Sequence, residues 1–185
     1  MVYTTKTNIE KYLVITIDAS YNTKVAEWIE AMSRFMDKKT GRTLVEADET
    51  TRKYDGDGTD TVLIDNCNTI TAVESPNGTA ISPIEYPANS ESKTKLVLDG
   101  DYFAKGLQNV EVTGKFGVFA DDVPDDIEFA ATVLVAGIVY NSMNQKDDIS
   151  SETVGKYSVS YKGARERADY KQALDIINTY KKITV

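Results

Sequence analysis

Apolar side chains recur at three- and four-residue steps over residues 22–39, where Val25, Trp28, Ile29, Met32, Phe35 and Met36 draw one stripe. The spacing predicts an amphipathic helix with Trp28, Ile29, Met32 and Phe35 in a core. Lys38 and Lys39 fall in its last turn, where cations complement the helix dipole, and Gly41 supplies a left-handed cap. A second run, PDDIEFAATVLVAGIVY over residues 124–140, is apolar on nearly every side. Pro124 presets the first helical turn, and Asp125 and Asp126 place negative charge beside unpaired N-terminal amides. Ile127, Ala130, Ala131, Leu134 and Ile138 share one face, and Phe129, Val133, Ala136 and Tyr140 share another. Such a helix has to be surrounded by protein, with Leu134 and Ile138 as core residues. Gly137 costs about 1 kcal/mol relative to alanine, which a close helix crossing would offset. A bilayer span needs roughly 20 apolar residues. This run opens on Asp125, Asp126 and Glu128 and closes on Asn141, Ser142 and Asn144, so no membrane partner is expected.

Two further helices flank these. Residues 5–12 place Ile9 and Tyr12 on one face behind a Thr or Asn cap, and residues 164–182 align Ala173, Leu174, Ile177 and Tyr180. Between Gly41 and Pro124 no helical period survives. Thr, Val, Ile and Tyr alternate there with polar residues, and strands are predicted at 43–53, 61–64, 68–74, 80–86, 93–98 and 110–113. Turn signals at Asp55-Gly56-Asp57-Gly58, Pro76-Asn77-Gly78 and Asp99-Gly100 separate them, which reads as a meander of short antiparallel strands. Residues 145–155 read as a polar loop, and KYSVSYK at 156–162 as an extended arm with no hairpin partner nearby. The fold class expected is α+β: a small helical bundle, residues 1–42 and 115–185, interrupted by a β insertion over 43–114 and closed by a C-terminal helix.

The chain of 185 residues is long enough for a true core. It contains no histidine, the side chain most used for proton transfer near neutral pH and the commonest metal ligand, and this argues against an enzyme. One cysteine, Cys67, cannot form an internal disulfide, and no apolar leader precedes Thr4; an intracellular or intravirion setting is expected. The net charge of −8 is segregated: +2 over residues 1–42, −13 over 43–161 and +3 over 162–185. An acidic middle argues against tight binding of nucleic acid, which runs on Lys and Arg clusters. The string Asp55-Gly-Asp-Gly-Thr-Asp60 has calcium-loop texture. It fails in detail, because Asp60 stands where glycine is needed and Asn66 where the bidentate glutamate belongs, so a turn is the better reading. Asp121 to Asp126 is explained as helix capping. No phosphate-binding glycine pattern is present, Cys67 lacks a partner that would activate it, and no cofactor or metal is implied. The tyrosine-rich arm fits either a half-buried strand or strand addition to a neighbour, and the C-terminal helix either core or a docking element with a basic rim.

The order of motifs resembles the head-to-tail connector, or adaptor, proteins of tailed bacteriophages. It is carried by Tyr12-Leu13, by Trp28-Ile29-Glu30-Ala31 with Phe35-Met36-Asp37, and by Lys39-Thr40-Gly41-Arg42. It continues through Arg52 to Gly56, Val112 to Gly117, Val123-Pro124, Ser151-Glu152, Gly155 to Tyr161 and Tyr180-Lys181, across nearly the whole chain. The resemblance implies a structural protein acting by geometry, in a ring usually of twelve subunits beneath the portal vertex. The virion is assembled in the host cytoplasm, with DNA passing through the ring's lumen and a stopper or tail-completion protein below it. It implies that the C-terminal segment engages the portal, which maps to Tyr170, Leu174, Ile176, Ile177, Tyr180, Lys181, Lys182 and Ile183. It also implies a subunit-contact arm at Tyr157, Ser158, Val159, Ser160 and Tyr161. Two other readings compete: a further neck or tail-completion protein, which the helices disfavour because those are mainly β, and a cellular module binding a cation or protein through Asp55 to Asp60.

Overall fold

The computed structural model describes residues 1–76, 78–89, 91–120, 122–144 and 168–182, together with the backbone of two strands at 151–154 and 157–160. The chain divides into two units, Met1–Gly41 with Val123–Val185, and Arg42–Asp122. The first holds α1 (Lys6–Leu13), α2 (Asn22–Thr40), α3 (Asp125–Asn144), the strands β7 (Ser151–Val154) and β8 (Tyr157–Ser160), and α4 (Ala168–Thr179). The second holds β1 (Thr50–Gly56), β2 (Thr61–Glu74), β3 (Ala80–Ile81), β4 (Ile84–Tyr86), β5 (Lys93–Val97) and β6 (Gly106–Phe116). The fold class is α+β. Because β6 runs to Phe116 and Phe119 still bridges Val45, the chain rejoins the helical unit at Val123 and not at residue 115.

In the helical unit, Thr5 caps α1 by accepting from the Asn8 amide at 3.3 Å, and Gly41 closes α2 at φ +72° with its N–H on the Asp37 carbonyl at 2.9 Å. The buried stripe of α2 is Val25, Ile29, Ser33, Met36 and Thr40. It includes two hydroxyl residues because each is satisfied: Ser33 Oγ donates to the Ile29 carbonyl at 2.8 Å and accepts from the Tyr3 amide, and Thr40 Oγ1 donates to the Met36 carbonyl. The stripe is therefore rotated from the one hydropathy draws. Of the four core residues expected on α2, Ile29 is buried, Trp28 and Met32 are half-buried flanking residues, and Phe35 is corrected to a surface position at 44 % exposure.

α3 forms the centre of this unit. Ile127, every residue from Ala130 to Ala136, and Val139 are buried, Leu134 among them, while Ile138 is half-buried. Phe129 and Tyr140 reach solvent. Among the described residues α3 is the one helix long and apolar enough to cross a bilayer. Its burial, with Asn8 Nδ2 donating to Glu128 at 2.7 Å and Thr4 and Thr132 hydroxyls 2.6 Å apart, makes it a core helix.

The sheet is antiparallel throughout, in the order β1-β6-β2-β5-β4, with β3 paired to β2. It is not the sequential meander expected: β6 returns from far along the chain to lie between β1 and β2. The two strands predicted at 61–64 and 68–74 are one strand of 14 residues, and that predicted at 80–86 splits into β3 and β4. Val62, Ile64, Cys67, Leu96, Phe103, Val110, Val112 and Phe116 pack as its core.

Candidate interaction surfaces

α4 does not project freely. It packs on α3 and α2, burying Ala173 and Ile177, with Tyr170, Leu174 and Ile176 half-buried. Both of its ends are held by tyrosine–carboxylate bonds. Tyr12 OH donates to Asp169 at the start, and Tyr180 OH donates to Asp126 Oδ2 at 2.7 Å just past the end. The Lys182 amide then donates to the Thr40 carbonyl at 2.7 Å. Burial, reinforced by the Asp126 bond, pushes the Tyr180 phenol up to about 12. Of the two readings the sequence left for the C-terminal helix, core or docking element, α4 takes the first over Ala173 and Ile177. What it turns outward is Lys171, Gln172, Asp175 and Asn178, followed by exposed Lys181 and Lys182; Ile183 lies outside the described residues.

The arm also has a partner after all. β8 pairs antiparallel with β7, Val154 opposite Tyr157 and Ser151 opposite Ser160. The polar loop expected over 145–155 therefore contains a strand. Tyr157, Ser158, Val159 and Ser160 fall on β8, and Tyr161 lies outside the described residues.

The Asp55–Asp60 segment is a turn, and its carboxylates are used locally. Asp57 Oδ1 accepts from the Thr59 amide at 2.9 Å and hydroxyl at 2.7 Å, bonds that hold this exposed acid below the usual carboxylate range. Asp55 Oδ1 accepts from the Gln108 amide at 2.7 Å. Among the described residues no group of three Cys, Asp or Glu side chains is placed to hold a metal. Asp125, Asp126 and Glu128 lie in the first turn of α3, and Asp126 Oδ1 accepts from the Ile127 amide at 2.9 Å. Cys67 is buried beneath the sheet, and loss of solvent pushes its thiol up to about 11, away from any nucleophilic role.

A surface that pattern reading missed stands at one end of the sheet. The Leu98 amide bonds the Asp60 carbonyl at 2.8 Å and the Phe103 amide bonds the Thr59 carbonyl at 2.9 Å, which ties the β1–β2 turn to the β5–β6 connection. Asn109 bridges both, donating to the Ala104 carbonyl at 2.7 Å and accepting from the Gly56 amide at 2.9 Å. A Cβ on Gly56 would sit 2.1 Å from that same carbonyl, so glycine is required. Phe103 anchors the knot in the core, and Gln108 takes a left-handed φ of +50°. On this rigid tip Leu107 is 86 % and Tyr102 69 % exposed, amid Asp57, Asp60, Asp99 and Asp101, with Lys105 the one cation between them. The signal available in the sequence was the density of turn residues, which says nothing of which turns meet.

The molecule is thus a helical unit carrying an inserted antiparallel sheet. This α+β architecture is shared with solved structures of a phage-like particle. Over 97 % of the chain it superposes on 88 % of a chain in the neck of the native gene transfer agent particle computed with C12 symmetry, with a TM-score of 0.57 at 14 % identity. A chain of the native gene transfer agent virion gives 0.56 at 13 % identity over 91 % of this chain and 81 % of that one. The neck of the empty particle computed with C6 symmetry gives 0.55 at 13 % identity over 89 % and 80 %. No protein-family model and no curated protein sequence matches the chain. The likeness is one of fold, and it agrees with the connector resemblance carried by the motifs.

Proposed function

We propose that the chain is a structural head-to-tail connector of a tailed, phage-like virion. In this reading it assembles as a ring beneath the portal, continues the DNA channel, and receives the stopper or tail below. The observation that carries the reading is the end-to-end fold likeness to a chain of a twelve-fold neck, reached independently of the motif order. The charge distribution is compatible with it. The sheet unit holds fifteen acidic and seven basic side chains, whereas the helical unit holds fourteen of each. Acidic side chains lining a bore would repel phosphate and let DNA slide.

Portal engagement in this reading runs through the residues after α4, Lys181 and Lys182 onward, together with the outward side of the helix, because Ile177 is committed to the core. The test is electron microscopy of the purified chain mixed with the portal of the same particle. A closed ring seated on the portal is expected, with acidic residues of the sheet unit facing its lumen. A chain that leaves the portal bare refutes the connector reading, and a ring with a basic bore refutes the charge argument alone. Removing residues 181–185 should leave a folded chain that no longer binds portal.

A further inference from the structure

The rotation that puts Phe35 outside the core creates a second stripe on α2. Lys24, Trp28, Ala31, Phe35 and Lys38 succeed one another at alternating four- and three-residue steps, so they line one side of the helix next to the buried stripe. Ala31, Phe35 and both lysines are exposed, and Trp28 is half-buried. Lys39 adds a further cation beside Phe35. The stripe itself contains no carboxylate: Glu27 borders it, and Glu30 is engaged with Arg34 at 3.4 Å on the far side. An apolar strip between cations is complementary in charge to the sheet tip, where Tyr102 and Leu107 stand amid carboxylates on a loop already locked by hydrogen bonds. Preorganised, exposed aromatic and aliphatic anchors with charged rims are what association surfaces use, since little ordering entropy remains to be lost.

We infer that the Trp28–Ala31–Phe35 strip of α2 is a docking surface whose occupant is the acidic sheet tip of a second copy of this chain. The two faces differ, so the contact is heterologous and propagates from copy to copy, which is the contact type that closes into rings. The inference rests on the ring reading above and names the faces that would build the ring.

Charge exchange tests it. The variant Lys38→Glu with Lys39→Glu turns the strip acidic, and Asp99→Lys with Asp101→Lys turns the tip basic; Lys38, Asp99 and Asp101 are exposed and Lys39 is half-exposed, none of them bonds across the two joined turns, and circular dichroism of each variant checks its fold. Sedimentation at 50 mM salt should show each variant associating about tenfold more weakly than the parent, the scale expected for two reversed rim charges. Mixing the two variants should restore association, because each strip then meets a tip of opposite sign. Carbodiimide coupling of mixed 14N and 15N chains should join Lys38 or Lys39 to a tip aspartate across isotopes. Failure of the mixture to restore association, cross-links confined to single chains, or a parent chain that stays monomeric at 50 mM salt overturns the inference. If rings still form on portal with both variants unaffected, the face assignment falls while the connector reading stands.

Discussion

Replacing Ile177 by alanine separates the two roles that α4 could play. Ile177 is fully buried, and Ala173 is the other described side chain of the helix buried as deeply. Truncating a buried isoleucine costs about 2–5 kcal/mol. Each tyrosine–carboxylate bond at the ends of α4 contributes on the order of 1 kcal/mol. Ile177 is therefore a large single contribution against the opening of α4, beside Ala173 and the half-buried Tyr170, Leu174 and Ile176, and the variant removes most of that one contribution. At about 2.7 kcal/mol the opening equilibrium moves roughly a hundredfold, which hydrogen exchange reads directly at the amides of residues 173–179. The thermal midpoint should fall too, by roughly 6–12 °C if about 3 kcal/mol is lost globally, and by less if α4 opens before the rest. Leu174→Ala, at a half-buried position, should do distinctly less. Unchanged protection and an unchanged midpoint, with portal binding abolished, would show that Ile177 is a contact residue and that the packing of α4 described above is wrong.

Three further outcomes follow from the sheet unit and the tyrosines. Gly114→Ala places a Cβ 2.3 Å from the Thr69 carbonyl and 2.8 Å from Cys67 Sγ, between β6 and β2, so urea denaturation should show a loss of about 1–3 kcal/mol or more. Burial raises the Tyr54 phenol to about 12, as it does that of Tyr180, against an unfolded value near 10. A raised folded value means that this stabilisation is complete below pH 10 and is lost as pH climbs from 10 towards 12. Unfolding monitored across that window should shift for Tyr54→Phe and Tyr180→Phe, and coincident curves for parent and variants would count against it. Cys67, with its thiol at about 11, should resist aromatic disulfide reagents at pH 8 until the sheet unit unfolds, and prompt labelling of folded protein would contradict its burial.

The elements that were legible in the sequence are those set by local chemistry. Thr5 and Gly41 cap where their side chain and backbone freedom require, and the Asp-rich start of α3 lies where helix amides need acceptors. What escaped reading depends on distant partners. Hydropathy counts Ser33 and Thr40 as polar, yet bonds to Ile29 and Met36 carbonyls let them enter the core, and that rotation displaced Phe35. The place of β6 between β1 and β2 is a long-range pairing that no local pattern encodes. β7 was read as loop because Ser151, Glu152 and Thr153 carry no apolar alternation, although Val154 pairs with Tyr157.

The displaced residue and the missed turn belong to one physical argument. Single apolar side chains on a surface are ordinary, whereas several that adjoin one another inside a charged rim mark an interaction face. Phe35 and Leu107 are each held in place by structure that does not depend on them: Phe35 by a helix whose packing face is elsewhere, Leu107 by a loop closed through Asn109, Gly56 and Phe103. The flanking charges also differ in sign, lysines beside the first and aspartates beside the second. Between chains the two faces supply apolar contact with matched rims, and because one chain carries both, every added copy presents the surface that the next one needs.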